Sequence, residues 1–115
     1  VAVSVYVVQA AHALHEHPAL RDALRSGDAD AMRRFVLELR RFYPFFPAVM
    51  ARVRQDFEWE GFPFRQGVRV LLDLYGTNHD PRAWEAPDEF RPERFIGREP
   101  TPVDMIPQGG GEHHV

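Results

Sequence analysis

The chain has 115 residues, 44% of them hydrophobic and 27% charged, which suits one small globular domain with a modest core. Its 14 basic residues are all arginine, and 17 acidic residues bring the net charge to −3, without the strongly basic balance of a nucleic-acid binder. There is no cysteine, which excludes disulfides, thiolate metal sites and cysteine nucleophiles within the chain.

The first stretch is VAVSVYVVQAAHAL, with no basic residue ahead of the apolar run. A signal peptide would carry positive charge ahead of that run, and the run is shorter than the roughly 20 residues a membrane-spanning helix needs. With Val1 in place of an initiator Met, a piece of a longer chain is expected. Val1, Val3, Val5 and Val7 alternate with other residues, so 1–8 reads locally as a strand, and the Ala-rich 9–16 as a helix. A single buried helix through both is the competing reading, and periodicity does not choose.

Pro18 suits the first position of a short helix that carries Leu20, Ala23 and Leu24 on one face and ends at Gly27. The strongest helical signal follows. Asp28 and Asp30 suit its N-terminus, Arg40 and Arg41 its C-terminus, and Met32, Phe35, Val36, Leu39 and Phe42 form one apolar stripe. Pro44 and Pro47 stop it. Beyond residue 43 the chain holds most of its prolines and glycines. Residues 49–74 read as short strands broken at Gly61 and Gly67, a hairpin leading into a buried strand near 68–74. Residues 75–107 read as turns, but their aromatics predict a packed loop, since disordered segments are poor in aromatics.

Several constellations bear on chemistry. His12, His15 and His17 with Glu16 lack the H-E-x-x-H spacing of a zinc protease, so surface or capping roles are expected, and His113 and His114 add no ligand pattern. The glycine triplet 109–111 has no following Lys, so it is no phosphate loop; it fits a linker or a close backbone approach. Glu38 and Arg41 lie on neighbouring positions of the strong helix, which alone describes an ordinary surface ion pair. Arg94, in FRPERF (90–95), adds a second guanidinium in a Pro-rich loop that needs an anchor. A carboxylate held between two guanidiniums would supply one.

ELRR on a helix, then a β segment, NHDPRAWEAPDEFRPERF and a glycine-rich loop, in that order, resembles the C-terminal half of a cytochrome P-450, a heme-thiolate enzyme. LHEHP, RRFYPFFP, LLDLYGTNHDP and DMIPQGGG are similar to bacterial fatty-acid peroxygenases, and Ile106-Pro107-Gln108 replaces the Phe that opens the heme loop in common monooxygenases. The resemblance implies a mainly α fold with a small β hairpin or sheet and a long ordered meander, a partial cytochrome P-450 fold. It divides the chain into the end of a long distal helix (1–17), two helices with E-x-x-R (18–43), β segments (49–74), the meander (75–107) and the start of the heme loop (108–115).

By the same resemblance, Glu38, Arg41 and Arg94 form a structural triad. Phe45, Phe46, Ala48 and Val49 line the substrate pocket, and Gln108, Gly109 and Gly110 begin the heme-binding loop. The cofactor is heme b, its iron held by a Cys after this chain, while an Arg-Pro that holds the substrate carboxylate lies before it. No catalytic residue and no metal ligand fall inside. Partners are a fatty acid and hydrogen peroxide, with no nucleic acid, no membrane span and no redox protein, in a bacterial cytoplasm. Two other readings stand beside this one: an O2-dependent monooxygenase fed by redox partners, and a non-catalytic helical interaction module.

Overall fold

The computed structural model describes residues 2–107. Helix α1 runs unbroken over Ala2–Glu16, so the local strand reading of 1–8 is corrected. Alternating valines fit either period, and the alanines that follow, with no Gly or Pro before Pro18, let one helix continue through both halves. Nor is it a buried helix among the described residues. Val3 is 78% exposed, whereas Ala13, in the last turns of the helix, is buried.

Pro18 ends α1 and opens α2 (Pro18–Arg25). Gly27, at φ +79°, takes the left-handed position after that helix. Helix α3 (Ala29–Phe42) begins on Asp28, whose carboxylate accepts from Asp30 N at 2.9 Å and Ala31 N at 3.2 Å. Phe35 and Leu39 of its stripe pack with Ala13 of α1 and Phe90 of the meander, with Leu20 and Leu24 of α2 against them. Met32 and Val36 of the same stripe stay half exposed. A second cluster joins Trp84, Phe95 and Met105 to Leu37, so the meander is packed on α3 from both sides of its buried face.

Strand β1 (Ala48–Arg52) pairs antiparallel with β4 (Arg69–Asp73), in the register Ala48↔Asp73 to Arg52↔Arg69. Between them β2 (Phe57–Trp59) and β3 (Phe62–Phe64) form a separate hairpin. Its tip needs two residues at positive φ, met by Glu60 at 49° and Gly61 at 78°. The expected burial of 68–74 holds at Leu74, which is fully buried, but not along the strand: Leu71 and Leu72 of β4 are exposed, because a two-stranded ladder has no layer packed on either face. A further correction falls at the start of the meander, where Leu74–Asn78 is the short helix α4, capped by the Asp73 carboxylate through Gly76 N at 2.7 Å. A 3-10 helix (Pro92–Phe95) then delivers Arg94.

Candidate functional site

The Glu38 and Arg41 side chains are fully buried, and Arg94 is nearly so. Helical spacing of three places the first two on one face of α3, and Pro92 fixes the turn that swings Arg94 over them. Arg41 grips the carboxylate with both prongs: Nε donates to Glu38 Oε2 at 2.7 Å and Nη2 to Oε1 at 2.8 Å. Arg94 Nε donates to Oε1 at 3.1 Å, and the Arg91 amide to the same oxygen at 2.8 Å.

The remaining guanidinium hydrogens are spent on the meander backbone. Arg41 Nη1 donates to the carbonyls of Asn78 at 2.9 Å and Pro87 at 3.0 Å, and Nη2 also reaches that of Glu89 at 3.2 Å. Arg94 adds donations to the carbonyls of Glu85 at 2.8 Å, Ala86 at 3.1 Å and Glu89 at 3.2 Å. A Pro-rich loop has few ladder partners for its carbonyls, and orphaned buried carbonyls are costly. Here two arginine forks satisfy them. Lysine, with a compact head and no planar fork, could not serve so many acceptors at once.

Trp84 floors the cluster. Fully buried, its ring has the Arg41 guanidinium carbon at 5.4 Å, that of Arg94 at 5.9 Å and that of Arg98 at 4.4 Å. The bare ion-pair reading of Glu38 and Arg41 is therefore corrected: this is a buried, multiply bonded charge cluster. Trp84, the Arg91 amide and Asn78 belong to it, and sequence reasoning did not single them out. An aromatic inside a Pro-rich loop was the available signal for Trp84; nothing in the residue type announces a backbone amide.

Beside the cluster, His79 is buried between Tyr75, stacked at 4.0 Å, and Phe42 at 5.3 Å. Its Nδ1 sits 2.9 Å from the Tyr75 carbonyl, which can only accept, so Nδ1 carries the proton. Nε2 then has no partner among the described residues. Burial holds the His79 pKa below the usual histidine value, with the nearby Arg41 charge acting the same way against the Tyr75 hydrogen bond.

Phe45, Phe46, Ala48 and Val49 form a different region, the link from α3 into β1. The rings of Phe45 and Phe46 meet edge-on at 4.3 Å, while Phe46 and Val49 remain about half exposed. The structure does not bring these four to the charge cluster. Gln108, Gly109 and Gly110 lie outside the described residues. His12 and His15 are exposed, and His17 stacks on Phe90 at 5.5 Å. Among the described residues no group of three or more His, Cys, Asp or Glu could hold a metal ion. The chain has no cysteine, so no sulfur ligand for a heme iron lies within it.

Comparison with known proteins gives concordant matches. The family model described as Cytochrome P-450 matches residues 30–114. The solved structure of cytochrome P450SP alpha (CYP152B1) in complex with (R)-ibuprophen is 54% identical, with a TM-score of 0.84 over 97% of this chain and 27% of that one. Cytochrome P450EX alpha (CYP152N1) with myristic acid is 49% identical, with a TM-score of 0.81 over 96% of this chain and 27% of that one. Protopine 6-monooxygenase of Eschscholzia californica is 35% identical over 82 residues, 71% of this chain and 15% of the relative. The chain thus spans about a quarter of the solved chains it matches and under a fifth of the curated relatives. A match over most of its length by the family model, joined to a shared fold at about half identity, establishes that the chain belongs to the cytochrome P-450 family.

Proposed function

We propose that the intact protein carrying this segment is a heme-thiolate oxidoreductase that hydroxylates, or oxidatively decarboxylates, fatty acids with hydrogen peroxide. One observation carries the reading: the likeness at 49% identity, over 96% of the chain, to cytochrome P450EX alpha with myristic acid. The (R)-ibuprophen of the second similar structure is also a carboxylic acid. In the hydroxylation a substrate C–H bond becomes C–OH; peroxide supplies that oxygen and leaves as water, so no external reductant or redox protein enters. Heme b, bound through a cysteine outside this chain, supplies the oxygen-transfer chemistry.

The residues of this chain have supporting tasks. Glu38, Arg41 and Arg94 act as a structural triad that fixes the meander, and Gln108, Gly109 and Gly110 begin the heme-binding loop. Phe45, Phe46, Ala48 and Val49 offer an apolar wall to the acyl chain, which suits burial of a ligand that is mostly hydrocarbon. A bacterial cytoplasmic location completes the reading; no helix of the described residues is long and apolar enough to cross a membrane.

The test supplies the intact protein with myristic acid in two mixtures. One contains hydrogen peroxide alone, the other O2 with a reductase and a nicotinamide donor. Oxidised fatty acid in the first mixture is the expected result. Product in the second alone would overturn peroxide use and favour an O2-dependent monooxygenase, the reading supported by the protopine 6-monooxygenase match. A non-catalytic interaction module loses its ground, since it required the motifs to be coincidental and the chain belongs to an enzyme family.

A further inference from the structure

Asn78 closes α4 and is fully buried. It faces two ways. Its backbone oxygen accepts from Arg41 Nη1 at 2.9 Å, inside the charge cluster. Its side-chain Oδ1 accepts from the amide of Ile106 at 2.9 Å, 28 residues further along the chain. Ile106 stands between Met105 and Pro107, both buried, and two positions before Gln108. On the near side, a turn delivers this segment: Asp104 N donates to Thr101 O at 3.1 Å, and the Asp104 carboxylate accepts from Thr101 N at 3.1 Å.

The second half of the Asn78 amide is idle. Nδ2 is buried and has no partner among the described residues. A buried donor left without an acceptor carries a desolvation cost, which a leucine of similar shape would avoid. An asparagine at this place is explained by Oδ1, the one atom of its side chain with a bonded partner. No general packing requirement calls for an amide there.

We infer that Asn78 is a positioning residue: it transmits the fixed location of the Glu38–Arg41 cluster to the backbone at Ile106, and so sets where the glycine-rich segment begins. The chain of contacts is short and rigid. A buried carboxylate holds Arg41, Arg41 holds the end of α4, and the last residue of α4 holds Ile106. The Pro-rich stretch between Asn78 and Ile106 need not carry the positional information itself. The importance of that starting point rests on the reading of residues 108–115 as the start of a heme-binding loop.

The test uses the intact heme protein and follows amide hydrogen exchange at Ile106, with Leu39 in α3 as the internal reference. Asn78→Leu removes Oδ1 and keeps the shape, while Asn78→Asp keeps an acceptor and removes the idle donor. In Asn78→Leu the Ile106 amide is expected to exchange at least about tenfold faster with Leu39 unchanged, and in Asn78→Asp to stay within about threefold of the unmodified protein. An Ile106 rate within about threefold in Asn78→Leu, or an equal acceleration at Leu39, overturns the inference. Should Asn78→Leu fail to fold, Asn78→Asp decides alone: an Ile106 amide more than about tenfold faster there overturns it. The ferrous–CO spectrum of the unmodified protein reports separately on thiolate ligation. Its failure would remove the heme-loop reading while leaving the exchange result to stand on its own.

Discussion

The meander and the β region invert the usual arrangement of a small protein. Around α3 the fully buried side chains include a carboxylate and a guanidinium, Glu38 and Arg41. In the β region, apolar side chains face outward: Met50 is 69% exposed and Trp59 67%. The difference shows what each region relies on. The meander is held by this chain's own charges, each donor matched to a carboxylate oxygen or a loop carbonyl, so its order is local. Two-stranded ladders have no such internal source of stability and bury little by themselves.

The sharpest way to break the comparison is to remove the carboxylate. Glu38→Ala leaves two guanidiniums facing each other without their shared anion, and a loss of about 3–5 kcal/mol in urea unfolding is expected. A loss below about 1 kcal/mol would place the pair with ordinary surface ion pairs and dissolve the contrast. Acidification is the next lever. Since His79 has a depressed pKa in the fold, its protonation favours the unfolded chain. Stability is unaffected above the ordinary histidine value of 6.5 and declines as pH falls below it. Thermal melts across that range should show the decline, and His79→Phe should flatten it; an unchanged slope would contradict the burial argument. Asp80, held down to about 2 chiefly by Arg82, acts in a separate window: its contribution is present above the usual 3.8 and is lost as pH falls towards about 2. The smallest effect belongs to the hairpin. Trp59→Ser should shift unfolding by no more than about 0.5 kcal/mol, and a loss above about 1.5 kcal/mol would show that the exposed aromatics are holding structure after all.

The two regions also differ in how far the sequence disclosed them. Helix α3 was legible because its start, its stripe and its prolines all agree, and the positions of Glu38, Arg41 and Arg94 followed from motif and order. Their burial was not legible from residue type, since E-x-x-R reads the same on a solvated face as in a core. It depends on Arg94 and the Arg91 amide arriving from more than fifty residues away. In the β region the error ran the other way. An apolar run such as Val70-Leu71-Leu72 suggests burial, but burial needs a second layer, and no local pattern encodes whether one is present. For α1, valines at alternate positions satisfied two periods, and the extent of the helix was decided by the alanines beyond them. Asn78 illustrates the remaining limit: an amide before a histidine and a proline reads as a turn residue, and its partner Ile106 is invisible until the chain is folded.

The central claim is that Glu38 and Arg94 are coupled through a buried contact and do not merely lie near one another. A double-mutant cycle with Glu38→Gln and Arg94→Gln, read by urea unfolding, tests it most directly. The account predicts a coupling of at least about 1.5 kcal/mol, as befits a hydrogen bond between charged groups out of water. Strict additivity, within about 0.5 kcal/mol, would contradict it.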